Sequence, residues 1–339
     1  MMNSLPSLKL NLALAGLIML CLLFVNVSPV RAEFDFSSKY AGDYLTGQST
    51  ARLLALGGVG VSIAEGPSAV LANPSRLANP YGHAISLMHA DRFESAVKVD
   101  HVDYVRRLED DRYLGFGLVR QGVDDIPVTR LRDPSQDIGI DNRVIRTGAT
   151  SASEYAFLLS YAGHRSWGNI GGSAKLLYKH LDDTNGYGLG IDLGYSRSFG
   201  DLHVGAQLRD AIVTVLTWDT GRQEVIYPTL RAGAAYEFQW TRMYSTIMPV
   251  VEFQARGESI DDPDAFAVHA GLEYRVRDIV AARIGYDGSR RADPDQAFSD
   301  GLTYGAGLLI GSVALDYTFI GNEDLGATHR VSVGVRWGM

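Results

Sequence analysis

Short stretches of alternating apolar and polar residues fill the chain from about residue 83 onward. Each runs for roughly 10–14 residues between turn-forming residues, a pattern typical of antiparallel strands in a membrane barrel. Within 265–277, the apolar Val268 and Leu272 alternate with the polar His269 and Glu273. Because successive side chains of a strand point to opposite faces, the apolar face would meet lipid and the other face would line a lumen.

The pattern predicts fourteen strands and no apolar helix long enough to cross a membrane after residue 32. A bilayer protein of this kind must be a closed barrel, and single-chain bacterial barrels have an even number of strands. We therefore predict an all-β fold, a 14-stranded antiparallel transmembrane outer-membrane β-barrel with an N-terminal plug (hatch) segment. Alternation is weakest in 95–107. The predicted strands are 83–93, 95–107, 110–120, 153–163, 168–181, 186–199, 201–212, 228–239, 242–256, 265–277, 279–288, 302–310, 313–322 and 327–338.

The predicted connections alternate in length along the chain. Even-numbered connections are tight, such as Gly200 and Asp278, whereas odd-numbered ones are longer, the longest being 121–152. Outer-membrane barrels place short turns on the periplasmic side and long loops outside. Both chain termini would then lie on the periplasmic side.

Residues 47–80 are the one long part of the chain after the first 32 residues that does not read as strand and turn. Clustered glycines allow backbone to pass close to other backbone, and the Asn-Pro pair forces a sharp turn. We predict a lead-in and plug over 33–82 and the barrel over 83–339. The plug positions singled out are Arg52, Leu54, Leu56, Gly57, Gly58, Val59, Gly60, Ile63, Asn73 and Pro74.

Residues 1–32 have the features of a cleaved signal peptide. Lys9 precedes an apolar run over 10–27, and Val30-Arg31-Ala32 fits a cleavage site before Glu33. The alternative is an uncleaved membrane anchor. Cys21 is the only cysteine, so cleavage would leave a mature chain that can form neither disulfides nor thiolate metal sites.

The charge balance argues against nucleic acid as a partner. Removing Lys9 and Arg31 leaves 29 basic and 39 acidic residues, whereas nucleic-acid binding requires a basic surface. The partner expected first is outer-membrane lipid.

Charged residues of both signs are predicted to point into the lumen. Such groups usually pair across neighbouring strands and with a plug, because an unpaired buried ion is costly. The alternatives are a cross-braced, mostly closed lumen and a polar conduit. The predicted lumen-lining residues are Lys175, Asp192, Arg209, Arg231, Glu237, Glu273, Arg275, Arg283, Asp316, Arg330 and Arg336.

The sequence offers little sign of enzymatic chemistry. The eight histidines are scattered without zinc-ligand spacing, and no serine is distinguished as a nucleophile. The acidic stretches 261–264 and 293–295 are either calcium ligands or solvated turns. We expect no catalytic residues, no metal and no cofactor.

Residues 51–80 resemble the N-terminal segment of the PorV/PorQ family, relatives of the FadL-type fatty-acid transporters. Ser75 stands where that family usually has alanine, and the stretch from Leu114 to Thr129 resembles the family's third strand and following loop. The matching residues are Ala51, Arg52, Leu56, Gly57, Gly58, Asn73, Pro74, Leu77 and Ala78.

The resemblance implies a fourteen-stranded outer-membrane barrel with a hatch and leaves two functions open. It favours a non-catalytic accessory of type IX-like protein secretion and surface attachment, whose partners would be secreted cargo proteins or secretion-system components. The alternative is a FadL-like channel for a hydrophobic small molecule, released sideways through a kink in an early strand. Gly115, Gly117 and Gly122 either hold such a kink or pack closely over the plug.

Overall fold

The computed structural model describes residues 49–78, 81–257, 265–290, 298–321 and 326–338, together with a two-residue strand at Phe34–Asp35. Barrel and inner residues belong to one compact unit, Asp35–Met339. The predicted signal peptide, most of the lead-in and the acidic stretches 261–264 and 293–295 lie outside the described residues. The division into 33–82 and 83–339 stays a prediction.

The described residues form a closed antiparallel barrel with fourteen strand positions in its wall, as the alternation predicts. The last strand pairs with the first, from His329 opposite Asp91 to Trp337 opposite His83, so the sheet has no free edge. The strands are β1 His83–Arg92, β2 Val97–Arg107, β3 Arg112–Leu131, β4 Val144–Arg165, β5 Gly168–Leu181, β6 Thr184–Phe199, β7 Leu202–Arg209 with Thr214–Trp218, β8 Gln223–Ile226 with Thr229–Tyr236 and Phe238–Trp240, β9 Ser245–Arg256, β10 Phe266–Val276, β11 Val280–Asp287, β12 Leu302–Ile310, β13 Val313–Ile320 and β14 Thr328–Trp337.

Most of the predicted loop over 121–152 is instead a hairpin extension of β3 and β4, which we name the β3–β4 arm. Strands β3 and β4 continue to Leu131 and from Val144, and only 132–143 remain as the connection. The register shifts between Val123 and Ile126, where Asp125 has a positive φ of 57°. The alternation of apolar and polar residues does not predict the arm, because strand residues outside the bilayer need no apolar face toward lipid.

Two other odd-numbered connections are also shorter than predicted. Strand β6 begins already at Thr184, and the turn between β7 and β8 contains only 219–222. The contrast between long and short ends is therefore weaker than expected. Longer connections still follow β3, β9, β11 and β13.

Strands β7 and β8 extend into 213–227, which the sequence predicts as a connection, and each strand is interrupted once near the predicted boundary. Residues 210–213 leave the ladder of β7, and 227–228 leave that of β8, where Pro228 has no N–H to donate. The buried Lys175 ammonium spans the interruption, 2.9 Å from Asp192 and 2.7 Å from Asp210. The segment with the weakest alternation, by contrast, forms the regular strand β2.

The barrel exposes apolar side chains and buries charged ones. Leu189 and Val268 on the outer face are 60% and 51% exposed, whereas Glu252 and Glu273 on the inner face are 0% exposed. A soluble protein of this size hides its large apolar side chains, so the outer face has the character of a lipid-facing surface. In the part of the chain that the structure describes, no helix has the length and apolar character needed to span a membrane.

Candidate functional site: the segment inside the barrel

Residues 49–78, which we name the inner segment, have little regular structure. Two four-residue helices, α1 (Ala51–Leu54) and α2 (Ala69–Ala72), are joined by turns and by short 3-10 helices at Gly66–Ser68 and Pro74–Arg76. Inward glycines and polar side chains of β3 and of β5 to β13 contact it. The wall thus surrounds the inner segment, whose apolar side chains form much of the core.

Glycines on both sides allow the backbone of the inner segment to lie directly on the backbone of the wall. Gly57 and Gly58 have φ values of 81° and 79°, which disfavour any other residue. A Cβ atom at Gly271 of β10 would stand 2.6 Å from the carbonyl oxygen of Leu56. Of the plug glycines, Gly57 lies against wall backbone, at Tyr286, whereas Gly60 packs against Ala72 of the inner segment.

The buried carboxylate of Glu252 on β9 holds the turn that follows. Its Oε2 accepts hydrogen bonds from the backbone N–H groups of Gly60, at 2.8 Å, and Val61, at 3.0 Å. Arg231 of β8 forms an ion pair with Glu252 and donates to the Gly58 carbonyl at 2.7 Å. The sequence prediction omitted Glu252, although strand alternation places it on the inner face.

Asn73 fixes the corner that Pro74 introduces. Its Nδ2 donates to the carbonyl oxygens of Val61 (2.7 Å), Tyr195 (3.2 Å) and Ala206 (3.3 Å), so one side chain joins the inner segment to β6 and β7. Ser75 donates from its backbone N–H and its hydroxyl to Asn73 Oδ1.

The Ser75 hydroxyl also lies 2.9 Å from the Ser196 hydroxyl of β6. An alanine at this position would make neither hydroxyl contact. Ser75 therefore has one hydroxyl partner in the inner segment, Asn73, and one on the wall, Ser196.

A network of ion pairs joins α1 to the wall near the short-turn end. The Arg52 guanidinium donates to both carboxylate oxygens of Glu273, at 3.0 and 3.1 Å, and to Glu65 at 3.1 Å. Glu273 also accepts from Arg283 at 2.6 Å, and Arg283 reaches Asp316 at 2.6 Å. Such a bidentate ion pair fixes the relative orientation of the two side chains as well as pairing their charges.

Hydroxyl groups and one histidine complete the attachment. The Thr303 hydroxyl accepts from the Gly57 N–H and donates to the Ala55 carbonyl, both at 3.1 Å. Thr318 donates to the carbonyl of Ala51, and His269 Nδ1 lies 2.9 Å from the Gly57 carbonyl oxygen. Sequence reasoning missed these hydroxyls because threonine is common in any strand.

The predicted lumen-lining residues share the inner face of their strands, but their surroundings differ. Several are paired as described above; Arg275 reaches Glu237 at 3.2 Å, and Arg209 reaches the Leu71 carbonyl at 3.4 Å. Arg336 lies over the Tyr81 ring. Among the described residues, neither Arg330 nor Arg336 has an ion-pair partner.

The glycines of β3 lie in a regular ladder with β2. This ladder runs without a shift from Tyr113 to Gly122. A Cβ atom at Gly115 would meet Leu77 at 3.0 Å, and one at Gly117 would meet Val70 of the inner segment. Gly115 and Gly117 pack closely against the inner segment, and a kink at Gly115, Gly117 and Gly122 stays a prediction.

A cavity of about 300 Å³ lies between the inner segment and the short-turn ends of β1 and β10 to β14. The inner segment contributes Arg52, Glu65 and Pro67, and the wall contributes small inward-facing apolar side chains such as Ala84 and Ala281. The cavity therefore combines apolar surface with the Arg52 ion-pair network. A change in that network would alter the cavity's boundary.

The solved structures with similar folds include two toluene transporters and a monoaromatic hydrocarbon channel. The Ralstonia pickettii toluene transporter TbuX superposes with a TM-score of 0.53 at 12% identity, over 85% of this chain and 98% of its own. The Pseudomonas putida toluene transporter TodX gives 0.53 at 14% identity, over 84% and 96%. The CymD monoaromatic hydrocarbon channel gives 0.55 at 12% identity, over 86% and 98%.

This chain shares their fold. No protein-family model matches the sequence, and no well-characterised protein matches it by sequence. The solved neighbours support the barrel architecture that the resemblance implies. None of these comparisons supports the PorV/PorQ assignment.

Replacing Glu252 with glutamine should loosen the inner segment near Gly60 without unfolding the barrel. The change leaves Arg231 without its buried counter-charge, and breaking such pairs in other proteins costs about 3–5 kcal/mol. We expect faster amide hydrogen exchange over 57–63, measured by mass spectrometry, while the corner over 73–77 stays protected.

The matched control is Glu237→Gln, which removes a half-buried carboxylate at the short-turn end. It should leave exchange over 57–63 unchanged. Equal protection of 57–63 in Glu252→Gln and the unaltered protein would show that Glu252 does not hold the inner segment.

Proposed function

We propose that this protein is an outer-membrane channel through which a small hydrophobic molecule passes, with the inner segment acting as its hatch. The observation that carries the proposal is the way the lumen is occupied. A segment almost devoid of regular structure fills the lumen and is attached by hydrogen bonds and ion pairs to many strands. Such attachments can be exchanged one for another without unfolding the wall.

The location follows from the barrel surface. Its outer face is apolar, its edge is closed and its strands are antiparallel, which suits insertion in the outer membrane of a bacterium with two membranes. Outer-membrane lipid is then the partner of the outer face. A cleaved signal peptide over residues 1–32 would bring the chain there.

The fold and the cavity together favour a hydrophobic small molecule as the substrate. Toluene transporters share the architecture, and the cavity beside the inner segment has apolar as well as charged walls. Apolar ligands generally gain from concave apolar surface with few polar groups. A non-catalytic role fits this picture.

The second candidate is the secretion accessory suggested by the PorV/PorQ resemblance. The feature that favours it is the ordered tip of the β3–β4 arm. Buried Asn142 ties the tip together, donating to the carbonyls of Asp133 (2.8 Å) and Gln136 (2.9 Å), while Ile138 and Ile140 are 71% and 84% exposed.

Hydrogen bonds within the tip also act on Asp133. The Ser135 hydroxyl and backbone N–H donate to its carboxylate and hold the pKa of Asp133 below its usual range. An ordered tip that exposes apolar side chains could contact an exported protein. We rank this role second because none of the structural neighbours supports it.

A reversible cross-link should test whether the hatch moves. The hydroxyls of Ser75 and Ser196 are 2.9 Å apart, so the double variant Ser75→Cys with Ser196→Cys is placed to form a disulfide between hatch and wall. Oxidation should reduce accumulation of radiolabelled toluene by cells to the level without the protein, and a reductant should restore it.

The control cross-link joins two wall strands. Ser160 of β4 and Ser173 of β5 have hydroxyls 2.6 Å apart, and their replacement by cysteine should leave accumulation unchanged under both conditions. Undiminished accumulation with a fully oxidised 75–196 cross-link would argue against hatch movement.

Shortening the arm should separate the two candidate roles. Replacing residues 126–150 with a two-residue turn removes the arm beyond the irregularity near Asp125 but leaves the wall strands intact. We expect toluene accumulation and heat-modifiable gel mobility to be unchanged. Loss of accumulation in a correctly folded variant would contradict the channel proposal, and loss of surface-displayed proteins alone would favour the secretion role.

A further inference from the structure

The apolar band on the outer face of the barrel differs in height from strand to strand. On β10 the outward side chains from Phe266 to Tyr274 are all apolar or aromatic. On β1 the outward His89 follows just two outward apolar side chains, Ile85 and Leu87. The apolar surface offered to lipid is therefore shorter at β1 than at β10.

Aromatic rings mark the short-turn edge of this band on both strands. His83 of β1 stacks on Trp337 of β14, with ring centroids 5.5 Å apart, and Tyr274 lies near the corresponding end of β10. At a rise of ~3.3 Å per residue and a tilt of roughly 40°, His89 stands about 15 Å above His83, whereas the apolar band of such barrels is about 25 Å tall. His89 thus lies at the depth of the acyl chains, in the half of the membrane nearer the long loops.

Charged side chains on the outer faces of β1, β2 and β3 form one connected group around His89. Its Nδ1 lies 2.8 Å from Asp100 Oδ1, and its Nε2 lies 3.6 Å from Asp91 Oδ2. Arg120 of β3 lies 3.7 Å from Asp100 and 3.6 Å from Asp124. We name this group the charged patch, and its members are His89, Asp91, Lys98, Asp100, Arg120 and Asp124.

The charged patch projects away from the wall. The side chains of His89, Lys98 and Asp100 are 56%, 48% and 45% exposed. Acyl chains offer ionised groups no hydrogen-bond partners. An aspartate also has no long stem, as lysine and arginine have, with which to reach the headgroup layer. Water must therefore reach the charged patch where it stands.

The pairing within the charged patch favours lipid headgroups over a protein as its neighbour. Each charged side chain lies 3.9 Å or less from one of opposite sign or from the His89 ring. Such a surface needs hydration more than it needs the counter-charge of a second protein. A headgroup layer carries phosphates and cations together, so it suits a surface of both signs. A bilayer also thins beside an apolar surface that is too short for it.

We propose that the bilayer is thinned beside β1 to β3 and that lipid headgroups, with their water, contact the charged patch at the level of His89. The proposal rests on the outer-membrane location given for the proposed function. It adds a lipid-headgroup site on the outside of the wall, in the leaflet on the long-loop side. Beside β10 the bilayer keeps its full thickness.

Spin labels at two matched positions test the proposal. Leu87→Cys and Ala270→Cys, each made in a Cys21→Ser variant, place a label on the outer face of β1 or β10. Each position is four residues from the aromatic edge, at His83 or at Tyr274. The barrel is reconstituted into dioleoyl phosphatidylcholine vesicles. Depth is measured from relaxation by oxygen and by a water-soluble nickel complex.

The label at 87 should lie closer to the aqueous phase than the label at 270. Position 87 is two residues below His89, whereas position 270 is four residues below Phe266 at the far edge of the band. The expected difference in depth is about 5 Å, from the rise and tilt of barrel strands.

Removing the deepest pair of the charged patch should reverse this difference. His89→Leu with Asp100→Leu extends the apolar surface of β1 and β2, so the label at 87 should move deeper, toward the depth of the label at 270. Arg197→Leu is the matched control. Arg197 lies over the Phe199 ring at the short-turn end of β6, beyond the apolar band, and its loss should leave the label at 87 unmoved.

Bilayer thickness supplies a second measurement that needs no change in the charged patch. In dilauroyl phosphatidylcholine the acyl region is thin throughout, so the bilayer need not thin further beside β1. The two labels should then report nearly equal depths. This arm of the test holds even if the leucine variants fail to fold.

The remaining outcomes separate the levels of inference. Equal depths at 87 and 270 in dioleoyl vesicles, with both labels in lipid, would overturn the thinning and leave the membrane location standing. A label at 87 shielded from both oxygen and nickel would place a second barrel on the charged patch and overturn the headgroup site. Full nickel access at 270 would show that the barrel does not face lipid, and the location of the proposed function would fail as well.

Discussion

Buried backbone without regular structure must find hydrogen-bond partners outside itself, and this requirement governs the interior of the barrel. The inner segment has only two four-residue helices, so the wall supplies what a helix ladder would. Glu252 accepts hydrogen bonds from two backbone N–H groups of the inner segment. Thr303 accepts one from a backbone N–H and donates one to a carbonyl. Asn73 donates to carbonyls of β6 and β7. Small wall residues such as Gly271 make room for these contacts.

The sequence predicts the wall well because one physical rule acts on every strand within the bilayer. Apolar side chains face out and polar ones face in, so a period of two marks each strand. The rule does not apply outside lipid, and the paired arm beyond Gly122 was therefore read as a loop. Nor does periodicity reveal where a ladder breaks, as at 210–213, because the Lys175 contacts that bridge this break join residues distant in sequence.

Inside the barrel, strand alternation predicts which side chains point inward but not which of them pair. Arg52 and Glu273 were both singled out, yet their mutual contact depends on the path of the inner segment. Glu252 was overlooked although alternation gives its direction. The expectation that inward charges pair is not met at Arg330 and Arg336, which have no ion pair with any described residue. The paired residues join the inner segment to the wall.

The most direct test of this account uses two consecutive alanines of β11. Ala281 faces the interior and is 6% exposed, whereas Ala282 faces outward. In a Cys21→Ser variant, a cysteine at either position can carry a spin label in a barrel reconstituted into lipid. Oxygen dissolved in the bilayer should relax the label at 282 strongly and the label at 281 weakly. Equal relaxation, or the reverse order, would contradict a barrel that faces lipid with its apolar side.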